Sequence, residues 1–322
     1  MLTRCMKGTV KMSVQIEVIT PDEIAKVLGI KDFVPVDYES RHRILGEHLG
    51  FDASDILAAI RHVPLCARAQ AHTASRKRIA KLIAQGTSEM GAFVREDVPA
   101  MVSELLLPGG HDVMAEFVGP CVNKLMSASV GVPLDLGDDT LVSRLFSQAM
   151  GISKRRRMNS ELAELRRVIA HHLPHLSESE VGDRIALCIL GTDALRGTLG
   201  CSLKALFEED ANPAEYPRTG VPYIDREALK SCPVNGVEQP ANTVVRARLD
   251  QFERPEFAGE RNRFFGYGAH VCLGRKIAVD LWQQVHDCAT RSLANVTVTK
   301  YRLRRDDVFN IPEKFEIDVA HA

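Results

Sequence analysis

Apolar residues recur at helical spacing along most of this chain, and strand-like alternation is confined to a few short stretches. VQIEVIT (14–20) alternates loosely and predicts a strand. Thr20-Pro21-Asp22-Glu23 then places a capping threonine, a proline at the first helical position and an acid three residues on, which opens a short helix through EIAKVLG. Helical patterns follow at about 53–62, 69–85, 88–106, 111–130, 139–151 and 159–173. Ser177-Glu178-Ser179-Glu180 is a second capping box, opening the longest candidate helix, about 178–208. That segment is apolar on nearly all sides through IALCILG (185–191), the pattern of a helix threaded through a core. After 208 the character changes. Residues 209–263 are rich in Pro, Gly, Asn and Asp, with strand-like pieces such as TVVRARL (243–249). A Gly-rich loop, a helix from about 274 to 293, and the strand-like VTVTKYRL and EKFEIDV complete the chain. The prediction is a mainly α fold with a minor β portion gathered late, formed by residues 14–322 as one domain behind a tail at 1–13.

Composition narrows the function without naming it. Over 322 residues, 41 Lys+Arg balance 42 Asp+Glu for a formal net charge of −1, so the basic field of a dedicated nucleic-acid binder is missing. No apolar run approaches the roughly 20 residues of a membrane span. MLTRCMKGTVKM is basic but has no apolar stretch behind it, so no signal peptide is expected, and Met12 is a second candidate start. Eight cysteines without a CxxC pair fit reduced thiols and a cytoplasmic location better than a disulfide scaffold.

One cysteine stands apart. In FFGYGAHVCLGR (264–275), Gly266 and Gly268 permit a tight backbone path, Cys272 follows, and a helix begins just after Gly274. A helix N-terminus stabilises a thiolate and is expected to lower the thiol pKa. A thiolate held by backbone donors is also what a soft metal needs as an axial ligand. The alternative is a buried cysteine in a glycine-rich turn. The pattern F-x-x-G-x-x-x-C-x-G, filled by Phe265, Gly268, Cys272 and Gly274 with His270 inside it, resembles the haem-binding loop of the cytochrome P-450 family. The resemblance implies that Cys272 is the axial thiolate of haem b and that Phe265 packs on the sulfur side of the porphyrin.

Further resemblances run in the same chain order. His72 and Arg76 in AHTASRKR resemble the family's H-x-x-x-R helix, and Arg226, ten residues before the turn glycine Gly236, resembles its propionate-binding arginine. With His270 these are expected to meet the haem carboxylates. Each alone also reads as a surface ion pair or a solvated strand residue. CILGTDAL (188–195) resembles the oxygen-activating stretch of the core helix, with Gly191 and Asp193 matching and Asp193 implied as a proton relay. Three departures stand out. The usual threonine is Ala194, which cannot donate a hydrogen bond. The E-x-x-R brace is represented only by Glu215 and Arg218, with Pro217 between them, so a distorted brace and a lost one are both open. The chain is also short, which implies a fold truncated in the distal lid helices, with SKRRRMNSE (153–161) as a remnant of their connection.

The expected function is therefore a soluble haem-thiolate monooxygenase acting with dioxygen on a small apolar or biosynthetic substrate. Arg275, Lys276 and Lys77 could face a ferredoxin-type electron donor, or be plain solvated surface. Two alternatives are a peroxygenase, isomerase or dehydratase that needs no donor, which Ala194 favours, and a non-catalytic helper. A trimmed roof leaves room for a large or carrier-bound substrate, a second copy of the chain, or a partner protein completing the distal side. The residues 154–157 read as a solvated basic loop, and His171, His172 and His175 as no metal site, since Pro174 interrupts their turn.

Overall fold

The structure, a computed structural model, describes residues 15–29, 31–147, 149–208, 216–304 and 308–321. The expected tail at 1–13, Met12 and Glu215 lie outside the described residues.

The first strand, β1 (Gln15–Val18), leads into α1 (Pro21–Gly29), where Thr20 Oγ1 accepts from the Glu23 N–H at 3.4 Å as the capping signature requires. β2 (Phe33–Pro35) precedes α2 (Tyr38–Leu49), a helix the hydrophobic periodicity did not announce. Its end signals were nonetheless in the chain. Asp37 Oδ1 caps the Ser40 N–H at 3.0 Å, and Gly50 closes the helix at φ +62°. α3 (Ser54–Ile60) matches the predicted 53–62.

Two predicted helices, 69–85 and 88–106, are one: α4 runs through Ala69–Leu105. The gap at Gly86-Thr87 between the two predicted helices is a contact instead. A Cβ at Gly86 would lie 3.0 Å from the Ala128 carbonyl oxygen, so the glycine lets the next helix approach. Thr87 bonds its hydroxyl to Ile83 O within the helix. The predicted 111–130 helix resolves into β3 (Gly109–Asp112), one wide π-helical turn (Met114–Val118) and α5 (Gly119–Val130).

The helix predicted at 139–151 is only a 3₁₀ turn, Val142–Phe146. Side chains occupy the backbone groups that a helix would have paired. Glu161 takes the Leu141 N–H at 2.6 Å, His42 Nε2 bonds Leu145 O at 2.8 Å, and Arg155 Nε donates to Met150 O at 2.9 Å. Helix α6 then starts early, at Ile152–His172, so 154–157 is helix and not a loop, with Lys154, Arg156 and Arg157 exposed as expected. Arg155 is buried.

Helix α7 spans Glu178–Glu208 as predicted, opened by the reciprocal Ser177–Glu180 box at 2.7–3.4 Å. It packs against α3, α4, α5 and α6 and is buried along most of its length. The later chain supplies β4 (Tyr223–Ala228), the hairpin β5 (Cys232–Val234) and β6 (Val237–Gln239), and β7 (Val244–Arg248). It ends in α8 (Arg275–Ala289), β8 (Val296–Leu303) and β9 (Pro312–Val319). Asn235 and Gly236, both at positive φ, make the β5–β6 turn.

The sheets are β1-β7-β4-β2, β3-β9-β8 and β5-β6. In the first, β1 pairs parallel with β7 and β2 antiparallel with β4, so two N-terminal strands form the edges around two strands from the late part of the chain. Two clusters of buried apolar side chains result. The larger surrounds α7; the smaller lies under the first sheet with α1 and the segment before α8. Val221 packs against both.

Candidate functional site

A cavity opens between α4, α7, the β4 strand and the loop before α8, at the meeting of the two clusters. The loop carries Cys272 to its wall. Gly266, at φ +93°, puts its α-hydrogen where a Cβ would lie 2.7 Å from His270 O, and Gly268 follows at φ +53°. Both glycines are thus required by the backbone. The path is closed by the Cys272 N–H, which donates to Phe265 O at 2.7 Å.

The cysteine sulfur is accessible from the cavity while lying deep among protein atoms. Burial pushes the Cys272 thiol up, against the opposing pull of the Gly274 and Arg275 N–H groups and the Arg76 guanidinium. The lowered pKa expected from the helix N-terminus is therefore corrected: in the protein alone desolvation outweighs the dipole.

Three polar residues that line the cavity with Cys272, namely His72, His270 and Arg226, keep buried nitrogens without a partner. His72 Nε2 and His270 Nδ1 are buried without a hydrogen-bond partner, and their rings lie 4.3 Å apart, centre to centre. Burial pushes the His270 imidazole down to about 3, with Arg226, His72 and Arg76 adding repulsion. Burial likewise lowers His72. Arg226, 2% exposed, gives Nη1 to Asp225 O at 3.0 Å but leaves Nε and Nη2 unpaired. Desolvation pushes it down to about 10. Arg76 donates to Val271 O at 2.7 Å, tying α4 to the cysteine loop. Orphaned buried donors of this kind cost free energy unless an anion meets them.

The sequence-selected residues are brought together with two exceptions. His72, Arg76, Gly191, Ala194, Arg226, Phe265, His270, Cys272 and Gly274 all line the cavity. Gly268 shapes the loop from behind. Asp193 is fully buried on the far side of α7, with Oδ2 held by Arg304 at 3.0 Å and Oδ1 3.9 Å from Arg196. Burial pushes its carboxyl up, opposed by those guanidinium groups. Arg218, the described half of the uncertain brace, pairs with Glu253 at 3.6 Å.

Sequence reasoning missed the other walls. Tyr38 and Phe146 meet edge to face at 5.4 Å beside the cavity; Tyr38 sits on the unpredicted α2. Asp225 holds Arg246 through two bonds of 2.9 and 3.1 Å, and Arg246 lies over the Tyr223 ring at 3.4 Å. No strand was expected at 223–228, and nothing local pointed to these partners. Arg304 is 111 residues from Asp193, and no local signal links them.

No family model and no curated protein matches this sequence. Its likeness is to solved structures. CalO2 superposes with a TM-score of 0.76 at 15% identity, over 94% of this chain and 90% of its own. The myxobacterial cytochrome P450 CYP267B1, in complex with myristic acid, gives 0.75 at 16%, over 95% and 90%. P450BioI, in complex with a hexadec-9Z-enoic acid ligated acyl carrier protein, gives 0.71 at 16%, over 94% and 91%. The expected architecture, mainly α with a minor β portion in the cytochrome P450 fold, is what the chain adopts. Among the described residues no helix is long and apolar enough to cross a membrane.

Proposed function

We propose that this chain is a haem-thiolate oxidoreductase, a monooxygenase that oxygenates a small apolar substrate with electrons from a separate redox protein. One observation carries the reading: a cysteine at the entrance to α8 and the unused nitrogens of His72, His270 and Arg226 face a single cavity. The donor set fits haem b. Cys272 would hold the iron, and Arg226, Arg76, His72 and His270 would meet the two carboxylates. When bound, a haem with a thiolate ligand supplies one-electron chemistry and favours O–O cleavage.

The chain's own residues then have definite tasks. The Gly274 and Arg275 N–H groups take up part of the charge on sulfur. Phe265 lines the sulfur side, with the Arg275 guanidinium 5.9 Å from its ring centre. Gly191 and Ala194 are the small residues in an α7 wall otherwise made by larger side chains such as Leu187, Leu190 and Leu195. Asp193, behind that wall, holds a carboxyl that burial makes readier to carry a proton. Lys77 and Lys276 are exposed, though Lys276 is paired with Asp280 at 2.5 Å, and they offer a docking charge for an acidic electron donor. A substrate delivered on a carrier protein, as the acyl chain is in the P450BioI complex, falls within this reading.

Ala194 favours a second reading. With no hydroxyl at this point on the cavity wall, the enzyme could act without an electron donor, using peroxide, isomerising or dehydrating. Supplying haem, reducing the protein and adding carbon monoxide tests the common premise. A strongly red-shifted Soret band that Cys272→Ala abolishes is expected. Product formed only with a reductase system supports the monooxygenase, and product without one supports the second reading. Failure to hold haem would refute both and favour a non-catalytic helper.

A further inference from the structure

The cavity is chemically lopsided. The ionisable side chains among its described lining residues are linked to one another: His72 meets the His270 ring, Arg76 donates to Val271 O beside Cys272, and Tyr223 lies under Arg246, the partner of Asp225. His72 and His270 feel the Arg226 charge, and so does Tyr38. Asp225 is already neutralised by Arg246.

The rest of the wall is hydrocarbon with three hydroxyls, all uncharged and each bonded to main chain. Ser129 donates to Met126 O at 2.8 Å, and Thr219 to Val221 O at 3.0 Å. Thr198 accepts from the Gly220 N–H at 3.2 Å. The remaining surface comes from residues such as Ile83, Leu125, Met126, Phe146, Leu190 and Phe309. Once haem carboxylates take the cationic end, no cationic side chain among the described lining residues is left to pair with an anion in this part of the cavity.

We infer that the substrate enters this cavity as an uncharged hydrocarbon chain, free or tethered through an ester-type link, and that a free carboxylate is rejected. The inference rests on the proposed haem site, because the cofactor's carboxylates are what consume Arg226 and Arg76. An unpaired carboxylate cannot be buried at tolerable cost, so a free acid must keep its head in water. It then forfeits the burial of three or four methylenes, each a factor of about four in affinity, or about 100-fold together.

The test compares dodecanoic acid with methyl dodecanoate by isothermal titration calorimetry. The protein used is haem-loaded and its carbon monoxide spectrum has been recorded. The expected result is about 100-fold tighter binding of the ester. Ile83 lies on the face of α4 that carries Arg76, two turns further on, lines the cavity and is partly exposed. Ile83→Arg is expected to tighten the acid about tenfold and so cut the ester's advantage from about 100-fold to about tenfold. Equal binding, or preference for the acid, in protein showing the thiolate-type band would overturn the inference and leave the haem assignment standing. Preference for the acid in protein that takes up no haem would overturn both, since Arg226 and Arg76 would then be the acid's own partners.

Discussion

Replacing Arg226 by methionine separates a residue held for the fold from one held for a bound anion. Methionine keeps an unbranched stem and removes the guanidinium. In the haem-free protein that guanidinium is 2% exposed and has two unpaired nitrogens. Burial drives its pKa down to about 10, and the whole of that cost is present at neutral pH. At about 1.4 kcal/mol per tenfold, the cost is on the order of 3 kcal/mol. Losing the bond to Asp225 O offsets about 1 kcal/mol of the relief. About 2 kcal/mol remains, and for a chain of 322 residues this is roughly a 3 °C rise in melting temperature. With haem bound the order is expected to reverse, because charge-assisted bonds to a carboxylate are worth about 1.5–3 kcal/mol each. Haem should then dissociate from Arg226→Met at least about 30-fold more readily. Thermal melts with and without haem, and haem transfer to an apo-globin, measure both. A haem-free variant that melts below the parent, or one that keeps haem equally well, would refute the reasoning.

Two further outcomes follow from particular contacts. His42 is buried between Leu145 O and the Arg155 guanidinium, and burial pushes it down to about 4. The unfolded chain therefore takes up a proton near pH 6.5 that the native protein refuses, and stability falls from about pH 6.5 to about pH 4, by on the order of 3 kcal/mol. Urea melts of His42→Gln across that range should show a shallower fall; an unchanged slope would rule His42 out. Gly197→Ala should cost several kcal/mol, since its Cβ would meet Asn310 O and the Gly220 Cα, both backbone atoms. Gly191→Ala meets only the flexible Met126 side chain at 2.7 Å, so its melting temperature should stay close to the parent's, and equal losses in the two variants would contradict this account.

The loop at 264–275 shows how much local sequence can determine. Positive φ at Gly266 and Gly268, Cys272 ahead of α8, and both capping boxes were legible because each is set by atoms within a few residues. The same holds for α7, whose all-round apolar pattern leaves it nowhere but the interior. Where local signals misled, a distant partner had taken over. Gly86 reads as a helix breaker until α5 is seen packed on it, and 139–151 reads as a helix until Glu161, His42 and Arg155 are seen holding its backbone groups. The thiol at Cys272 follows the same logic: the helix end is local, but the desolvation that outweighs it comes from the whole cavity. That the cavity is charged at one end and hydrocarbon at the other was decided only by tertiary structure. Its walls come from residues 38 to 309, and which polar groups are already satisfied depends on contacts that span the chain.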